Sequence, residues 1–417
     1  MKENGSGLHR PSLVTGIELG PRQFTLAVGQ PQSQDPRRLL LHSVESIPAQ
    51  GFEKEGISDP IECADGIMRL VRQVERSLSC KLSSAMVAFP SNHLKSYNAS
   101  ASIPIPDPGV GISRTDVERA VSTCRTLSLD YDRQILHAFE RGFTVDNQSG
   151  VKNPVGLSGK KLSVELHLVT AVNLAAQNLT RVLNRGGLEV ESFILPGLAC
   201  GEAVLADLDR DLGVTLVRIG DFQTEVVLYD DGRIHETFFI PGGAEDLIEH
   251  LSRALRVPRV SAEYLLGQIQ SLEENADRAS VPLRTGPGLS VKSFPQGEVA
   301  QLVRNRAREL LQRLRRRLAT SSVFLDCASG VVVVGQLARV EGFLEMAEEF
   351  FNMPVRLGTV KEVEVAQGVN LRSQDITAVG LVRHSLLRRP GSAGLSAALP
   401  LWFRPVEKIQ RLLQDYF

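Results

Sequence analysis

The chain has 417 residues, 42% hydrophobic and 23% charged, with a formal charge of −1, the make-up of a globular protein large enough to bury several cores. So even a balance sets up no field for nucleic acid, and no apolar run reaches the ~18 residues that a membrane-spanning helix needs. The five cysteines, Cys63, Cys80, Cys124, Cys200 and Cys327, form no CxxC or His-flanked pattern, which argues against zinc and disulfides and for buried thiols in a reducing cytoplasm.

The N-terminal MKENGSGLHRPS lacks an apolar core, so no signal peptide is expected. Leu13–Gly20 and Phe24–Val28 read as strands around a glycine turn, with a third strand near Leu39–Ser46. Ile67, Leu70, Val71, Val74 and Leu78 recur at helical spacing within Ile61–Leu78. Ala85–Pro90 and Ser96–Ile105 read as strands, Arg114–Leu127 as a helix and Gln134–Glu140 as a strand. The Gly- and Asn-rich tract Gly142–Gly159 follows and ends in Lys152-Asn153-Pro154-Val155-Gly156-Leu157-Ser158-Gly159. Leu162–Ala171 is a long alternating strand, Ala175–Arg185 a helix and Val190–Ile194 a strand, before Pro196-Gly197-Leu198-Ala199 opens another helix.

From Gly213 to Gly243 the pattern is strand, turn, strand, hairpin, strand. Val214–Ile219 is apolar and β-branched, Asp231-Gly232 is a strong hairpin signal, and His235–Ile240 returns to Pro241-Gly242-Gly243. Ala244–Leu255, Ser261–Leu272 and Val299–Ala319 read as helices, with a hairpin or loop over Ala279–Gln296. Val323–Val334 is a buried strand, Glu341–Phe351 a helix, Val355–Leu357 a short strand and Ile376–Leu387 a closing helix. Arg388–Ala398 has the composition of a flexible tether. In Pro400–Phe417, Trp402, Val406, Ile409, Leu413, Tyr416 and Phe417 share one side of a helical wheel, widened by Leu401, Phe403 and Leu412. Arg404, Glu407, Lys408 and Arg411 fill the other side, which is the pattern of an interfacial membrane helix.

The strand–turn–strand–hairpin–strand–helix run, the turn Glu18-Leu19-Gly20-Pro21-Arg22-Gln23 and the string Lys152–Gly159 together resemble the FtsA family of actin-like bacterial cell-division proteins, in order over roughly residues 13–417. The resemblance implies an α/β fold: an actin-like (ribonuclease-H-like) two-lobed ATPase frame with an inserted small α+β subdomain and a C-terminal amphipathic helix. It implies a first domain over 12–82, 162–196 and 363–387, interrupted by the self-associating insert over 83–161. The second domain would take 197–243 and 320–362 around an outer partner-binding helical subdomain at 244–319, followed by a tether at 388–399 and a membrane-targeting helix at 400–417.

The same resemblance marks a nucleotide cleft for ATP with Mg²⁺. Its positions fall on Glu18, Gly20, Pro21, Arg22, Arg218, Gly220, Asp221, Gln223, Thr224, Glu263, Gly335 and Gln336. Such a cleft needs backbone N–H groups at glycine turns and acids to hold the metal. The family's Asp-Ile-Gly-Gly-Gly-Thr-x-Asp is here Arg218-Ile219-Gly220-Asp221-Phe222-Gln223-Thr224-Glu225, and Pro21 removes a donor from the first turn. The adenosine turn Thr-Gly-Gly-Ala-Ala is Val334-Gly335-Gln336-Leu337-Ala338, and beside Ala262 and Glu263 the helix has Leu266 for lysine. The expectation is a degenerate site without catalytic residues or a bound metal; direct contact of Arg218 with a phosphate stays open.

By resemblance the partners are the tubulin-like division protein FtsZ, other divisome proteins, a second copy in actin-like filaments, and the cytoplasmic face of the inner membrane. Arg306 and Glu309 take the partner-contact positions, within a helix that also carries Arg304, Arg308, Arg313, Arg315, Arg316 and Arg317. The rival readings are a nucleotide-switched ATPase of the same fold and the actin-like assembly protein of type IV pili. His137 and His167 sit in strands without acids at catalytic spacing and read as satisfied core histidines.

Overall fold

The structure, a computed structural model, describes residues 13–387 apart from 33–34, 36–37, 55, 128, 273–279 and 285–290. The expected tether and amphipathic tail, 388–417, lie outside the described residues.

Two sheets share one plan. In the first, β1 (Val14–Leu19), β2 (Gln23–Pro31) and β3 (Leu39–Pro48) form an antiparallel meander. A small hairpin, β4 (Phe52–Glu53) with β5 (Gly56–Ile57), leads to α1 (Pro60–Leu78). This helix starts where the Asp59 side chain accepts the Ile61 and Glu62 N–H groups, and it buries Ile67, Leu70, Val71 and Val74. The next strand, β6 (Ser84–Ala88), lies parallel to β1.

The chain then leaves the sheet to build a separate one. It passes through β7 (Leu94–Pro104), α2 (Arg114–Leu127), β8 (Arg133–Val145), β9 (Gln148–Val151) and β10 (Lys161–Val172), with strands in the order β7-β10-β8-β9. It returns through α3 (Asn173–Arg185) to β11 (Glu189–Ile194), parallel to β6. Two expectations about this insert are corrected. Residues 84–88 belong to the main sheet. The strand at 161–172 is the centre of the insert's sheet rather than a return to the first domain. The string 152–159 is an internal loop of the insert, bonded to Ile112 through its Leu157 carbonyl and Gly156 N–H, each at 2.8 Å. The reason for the misreading is that β10 serves two cores. Leu162, Val164, Leu166 and Leu168 fill the insert, whereas Val169 and Ala171 join the core of the main sheet.

The second lobe repeats the plan. After α4 (Pro196–Val204) and α5 (Asp207–Asp211), the strands β12 (Val214–Ile219), β13 (Gln223–Asp230) and β14 (Arg233–Pro241) form the meander. Helices α6 (Ala244–Leu255) and α7 (Arg259–Gln268), the hairpin β15 (Ser280–Arg284) with β16 (Val291–Pro295), and α8 (Gln296–Leu318) form the outer part. The buried strand expected over 323–334 is confined to β17 (Val331–Val334), parallel to β12; a short 3₁₀ turn occupies Phe324–Asp326. Then α9 (Phe343–Phe351) leads to β18 (Val355–Leu357) on the sheet edge, and β19 (Val363–Val365) crosses back to pair with β3 in the first lobe.

The chain closes on α10 (Ile376–Leu387), which is buried nearly all round, as is α4. Such helices belong in the interior, and these two cross between the sheets. A Cβ on Gly380 would overlap the Ala199 carbonyl, and one on Gly16 of β1 would stand 2.7 Å from the Ala378 carbonyl. The two glycines let α10 press against both neighbours. The insert is tied to the second lobe as well: His167 Nε2 accepts the Thr237 N–H at 2.9 Å and Nδ1 stands 2.7 Å from Asn98 Oδ1. Burial first, then Arg141 and His235, pushes His167 down to about 3, so it is neutral, a satisfied core histidine.

Gly380→Ala tests the crossing. Propensity alone would favour alanine in a helix by about 1 kcal/mol. The overlap with Ala199 should instead cost about 1–3 kcal/mol or more, seen as a lower urea midpoint; an unchanged or raised midpoint would show that the helices do not depend on this contact.

Candidate functional site

Between the lobes lies a cavity of about 720 Å³. Its floor is made by two hairpin turns, one joining β1 to β2 and the other joining β12 to β13. Both close the same way, with the Gly20 N–H bonded to the Gln23 carbonyl and the Gly220 N–H bonded to the Gln223 carbonyl, each at 3.0 Å. The second turn is further held by the start of α6. The N–H groups of Gly242, Ala244 and Glu245 take the carbonyls of Phe222, Gly220 and Asp221 at 2.9–3.0 Å. Gly243 is required there, because a Cβ would run into the Gly220 and Asp221 carbonyls.

The charged side chains of the turns face each other across the cleft. Arg218 of the second turn pairs with Glu18 of the first, and its Nε also donates to Thr377 Oγ1 of α10 at 3.2 Å. In the opposite sense, Arg22 of the first turn pairs with Asp221 of the second at 2.6 Å, with Glu245 and Glu263 each at 3.8 Å. Burial opposes the charge on Arg218, but Glu18 holds the guanidinium above its usual range, so it stays protonated. Burial raises Glu18 in turn, against the pull of Arg218. At the tip, the Phe222 ring lies 5.6 Å from Lys54 Nζ in the β4–β5 hairpin.

Gly335, Gln336, Leu337 and Val340 also line the cavity, as do Leu266 and Glu263 of α7. At Gly335 φ is +135° and a Cβ would stand 2.6 Å from the Ile219 carbonyl, so this glycine is obligatory while its neighbour Gln336 is not so constrained. The structure thus brings Glu18, Gly20, Arg22, Arg218, Gly220, Asp221, Glu263, Gly335 and Gln336 together on one cavity. Pro21 and Gln223 line a smaller space of about 80 Å³ behind the turns, beside Phe222 and Lys54. Thr224 is corrected: it is buried and its hydroxyl donates to the Gly242 carbonyl at 2.8 Å, so it braces the turn and does not face the cleft.

Sequence reasoning missed several groups. Thr377, Arg372 and Gln374 reach the cavity from the end of the chain, with no local signal to single them out. Glu225 was legible as an acid in the second turn's motif, but its role comes from tertiary contacts. It is fully buried, accepts the Gly197 N–H at the start of α4 at 2.8 Å and faces the Ser91 hydroxyl at 3.3 Å. Burial, partly offset by Arg218 and these hydrogen bonds, raises it to about 7. Away from the cleft, the arginines of α8 are divided between internal pairs and solvent. Arg304 is buried, Arg317 pairs with Glu236 at 2.5 Å, and Arg313 donates to the Pro241 carbonyl at 2.6 Å. Arg306 pairs with Glu309 and, at 3.3 Å, with Asp246. Arg308, Arg315 and Arg316 are the exposed ones.

Two sheets of the same meander plan, a pair of facing glycine turns and buried crossing helices define an actin-like two-lobed protein. Solved structures agree on the fold. The PilM component of a PilM–PilN type IV pilus biogenesis complex superposes with a TM-score of 0.64 at 16% identity, over 90% of this chain and 99% of that one. MreB5 of Spiroplasma citri bound to ADP gives 0.53 at 11% identity, over 90% and 96%. Residues 91–170 match the model of the SHS2 domain inserted in FTSA, and 215–378 match that of cell division protein FtsA, together more than half the chain. The cell division protein FtsA of Pseudomonas aeruginosa is 28% identical over 393 residues, covering 93% of this chain and 92% of its own. That of Neisseria meningitidis is 26% identical over 411 residues, covering 93% and 97%. The chain belongs to the FtsA family of cell-division proteins.

Glu225 gives a pH prediction. Its folded pKa lies above the ordinary carboxylate value of 4.5, at about 7, so the folded state holds the extra proton between those two values. The favourable contribution is complete below pH ~4.5 and is lost as pH rises through ~7, on the order of 3 kcal/mol. Glu225→Gln, which keeps an acceptor for Gly197, should lack this slope in denaturant unfolding; parallel curves for the two proteins would refute it.

Proposed function

We propose that the protein is a cell-division adaptor that joins the tubulin-like division protein FtsZ to the cytoplasmic face of the inner membrane. The observation that supports this reading best is the insert matching the FtsA-specific domain at 91–170, set within an actin-like frame matched at 215–378. The pilus reading rests on a fold likeness at 16% identity and gains nothing further from the sequence. Membrane attachment is assigned to 400–417. Its apolar arc of Trp402, Phe403, Val406, Ile409, Leu413, Tyr416 and Phe417 opposes an arginine- and lysine-bearing face. Each fully buried large side chain contributes roughly 1.5–3 kcal/mol, less ordering costs of ~1 kcal/mol per residue, which suits reversible residence on the membrane. No described helix is long and apolar enough to cross a membrane.

Self-assembly into actin-like filaments is assigned to the insert. FtsZ binding is assigned to the outer subdomain around α8, with Arg306 and Glu309 at its centre and Arg308, Arg315 and Arg316 as exposed charges. The nucleotide site is read as degenerate, in contrast with an ATPase switch, because both acids of the facing turns are engaged by arginines.

Deleting Trp402–Phe417, or changing Trp402 and Phe403 to Glu, should move the protein from the pellet to the supernatant with anionic liposomes. Continued sedimentation of the truncated protein would place the anchor elsewhere. On the partner face, Arg306→Glu sets a like charge beside Asp246 and Glu309, so it is best compared with a double variant at Arg315 and Arg316. Both should weaken binding of the FtsZ C-terminal peptide in a salt-dependent way while liposome binding persists. Peptide affinity unaltered in both would remove α8 from the partner site.

A further inference from the structure

The two lobes meet at the turns through side chains that are far apart in sequence and complementary in charge. Arg22 and Asp221 are 199 positions apart, and Arg218 and Glu18 are 200. Each turn supplies one arginine and one acid, with the senses crossed. The first turn runs acid then arginine (Glu18, Arg22) and the second arginine then acid (Arg218, Asp221). We propose that these reciprocal ion pairs form a clasp that ties the two turns together across the cleft without a ligand, in the place that the family resemblance gives to metal-bound phosphates.

Four observations carry this. Each pair is self-neutralising, so the turns present neither the unpaired acids that a divalent cation needs nor an unpaired guanidinium for a phosphate. The side chains of Arg218 and Glu18 are only 16% exposed, and those of Arg22 and Asp221 are 24% and 22% exposed, so the pairs are shielded from the screening that weakens surface bridges. Both turn glycines spend their N–H groups on their own turn carbonyls. Further bridges run the same way between the lobes: Lys54 over Phe222, Ser91 to Glu225, and Arg218 to Thr377. The residues present therefore do not fit a metal-bridged triphosphate between the turns. The clasp says what ties the lobes in its stead: two guanidinium–carboxylate bridges, with Phe222 filling the tip.

This deepens the reading of the cleft as degenerate, and the test separates the two. Native-state hydrogen exchange is followed in the full chain over residues 18–25 and 216–226, with EDTA, with ATP alone and with ATP and Mg²⁺. The clasp predicts slow exchange in both turns already in EDTA. Arg22→Gln and Asp221→Asn, at the more exposed pair, should each speed exchange in both turns roughly tenfold. The double variant should be no faster than either single one, and the charge-swapped R22D/D221R protein should recover protection. Single variants exchanging at the wild-type rate, or turns that are protected only after ATP and Mg²⁺ are added, would overturn the clasp. Protection in EDTA that increases further with ATP and Mg²⁺ would leave the clasp standing and sink the degenerate reading alone. Circular dichroism of each variant identifies a misfolded protein, and the charge-swapped variant then decides the matter.

Discussion

The crossing of α4 and α10 is the constraint on which the rest of the molecule depends. Both helices are wrapped in protein, and their backbones approach so closely that only glycine fits at position 380. Gly16 on β1 gives α10 the same closeness to the first sheet. Because side-chain packing cannot slide at such contacts, the two sheets are held at a fixed separation and their first hairpin turns face one another. The same helices also hold buried groups beside the turns of the cleft. The Gly197 N–H at the start of α4 donates to the Glu225 carboxyl, and the Thr377 hydroxyl oxygen in the first turn of α10 accepts from Arg218.

Charge within that frame follows from desolvation. A carboxylate or guanidinium removed from water must find a partner or change its protonation. Arg218 finds Glu18 and stays charged, whereas burial outweighs the pull of Arg218 and the Gly197 and Ser91 hydrogen bonds on Glu225 and pushes it to about 7. A second buried network shows the opposite outcome. Burial alone would raise Glu202, but Arg210 at 2.9 Å, together with His384 and Arg383, holds it down at about 2. That network lies where α4 meets α10, so the crossing is fixed by polar bonds as well as by the glycine contact.

The insert is braced on two sides. Strand β10 gives its first half to the insert's own core and its last residues to the main core. From the other direction, Thr237 of β14 offers its N–H to His167 and its carbonyl to the Ser96 hydroxyl at 2.5 Å. On the outer part, most of the half-buried arginines of α8 are spent on Asp246, Glu236 and the Pro241 carbonyl. A run of basic residues in a sequence is thus divided by the fold into struts and exposed charges.

The sequence by itself determined the element types, the FtsA resemblance and most of the cleft. Strand alternation, the Asp231-Gly232 hairpin and the glycine turns are local signals, set by sterics and periodicity within a few residues. The FtsA resemblance that these local signals carry is what placed Glu18, Arg22, Arg218 and Asp221 on one cleft. Tertiary structure decided what those residues do. The pairing of Arg22 with Asp221 and of Arg218 with Glu18 depends on two turns about 200 residues apart meeting at side-chain distance. Thr224 turned inward, and Thr377 arrived from the last helix, for the same reason. The insert's boundary was likewise hidden, because an apolar strand reads the same whichever core it serves. Local sequence records the conformations a segment prefers; which charge meets which, and which core a strand enters, is settled only when distant segments pack.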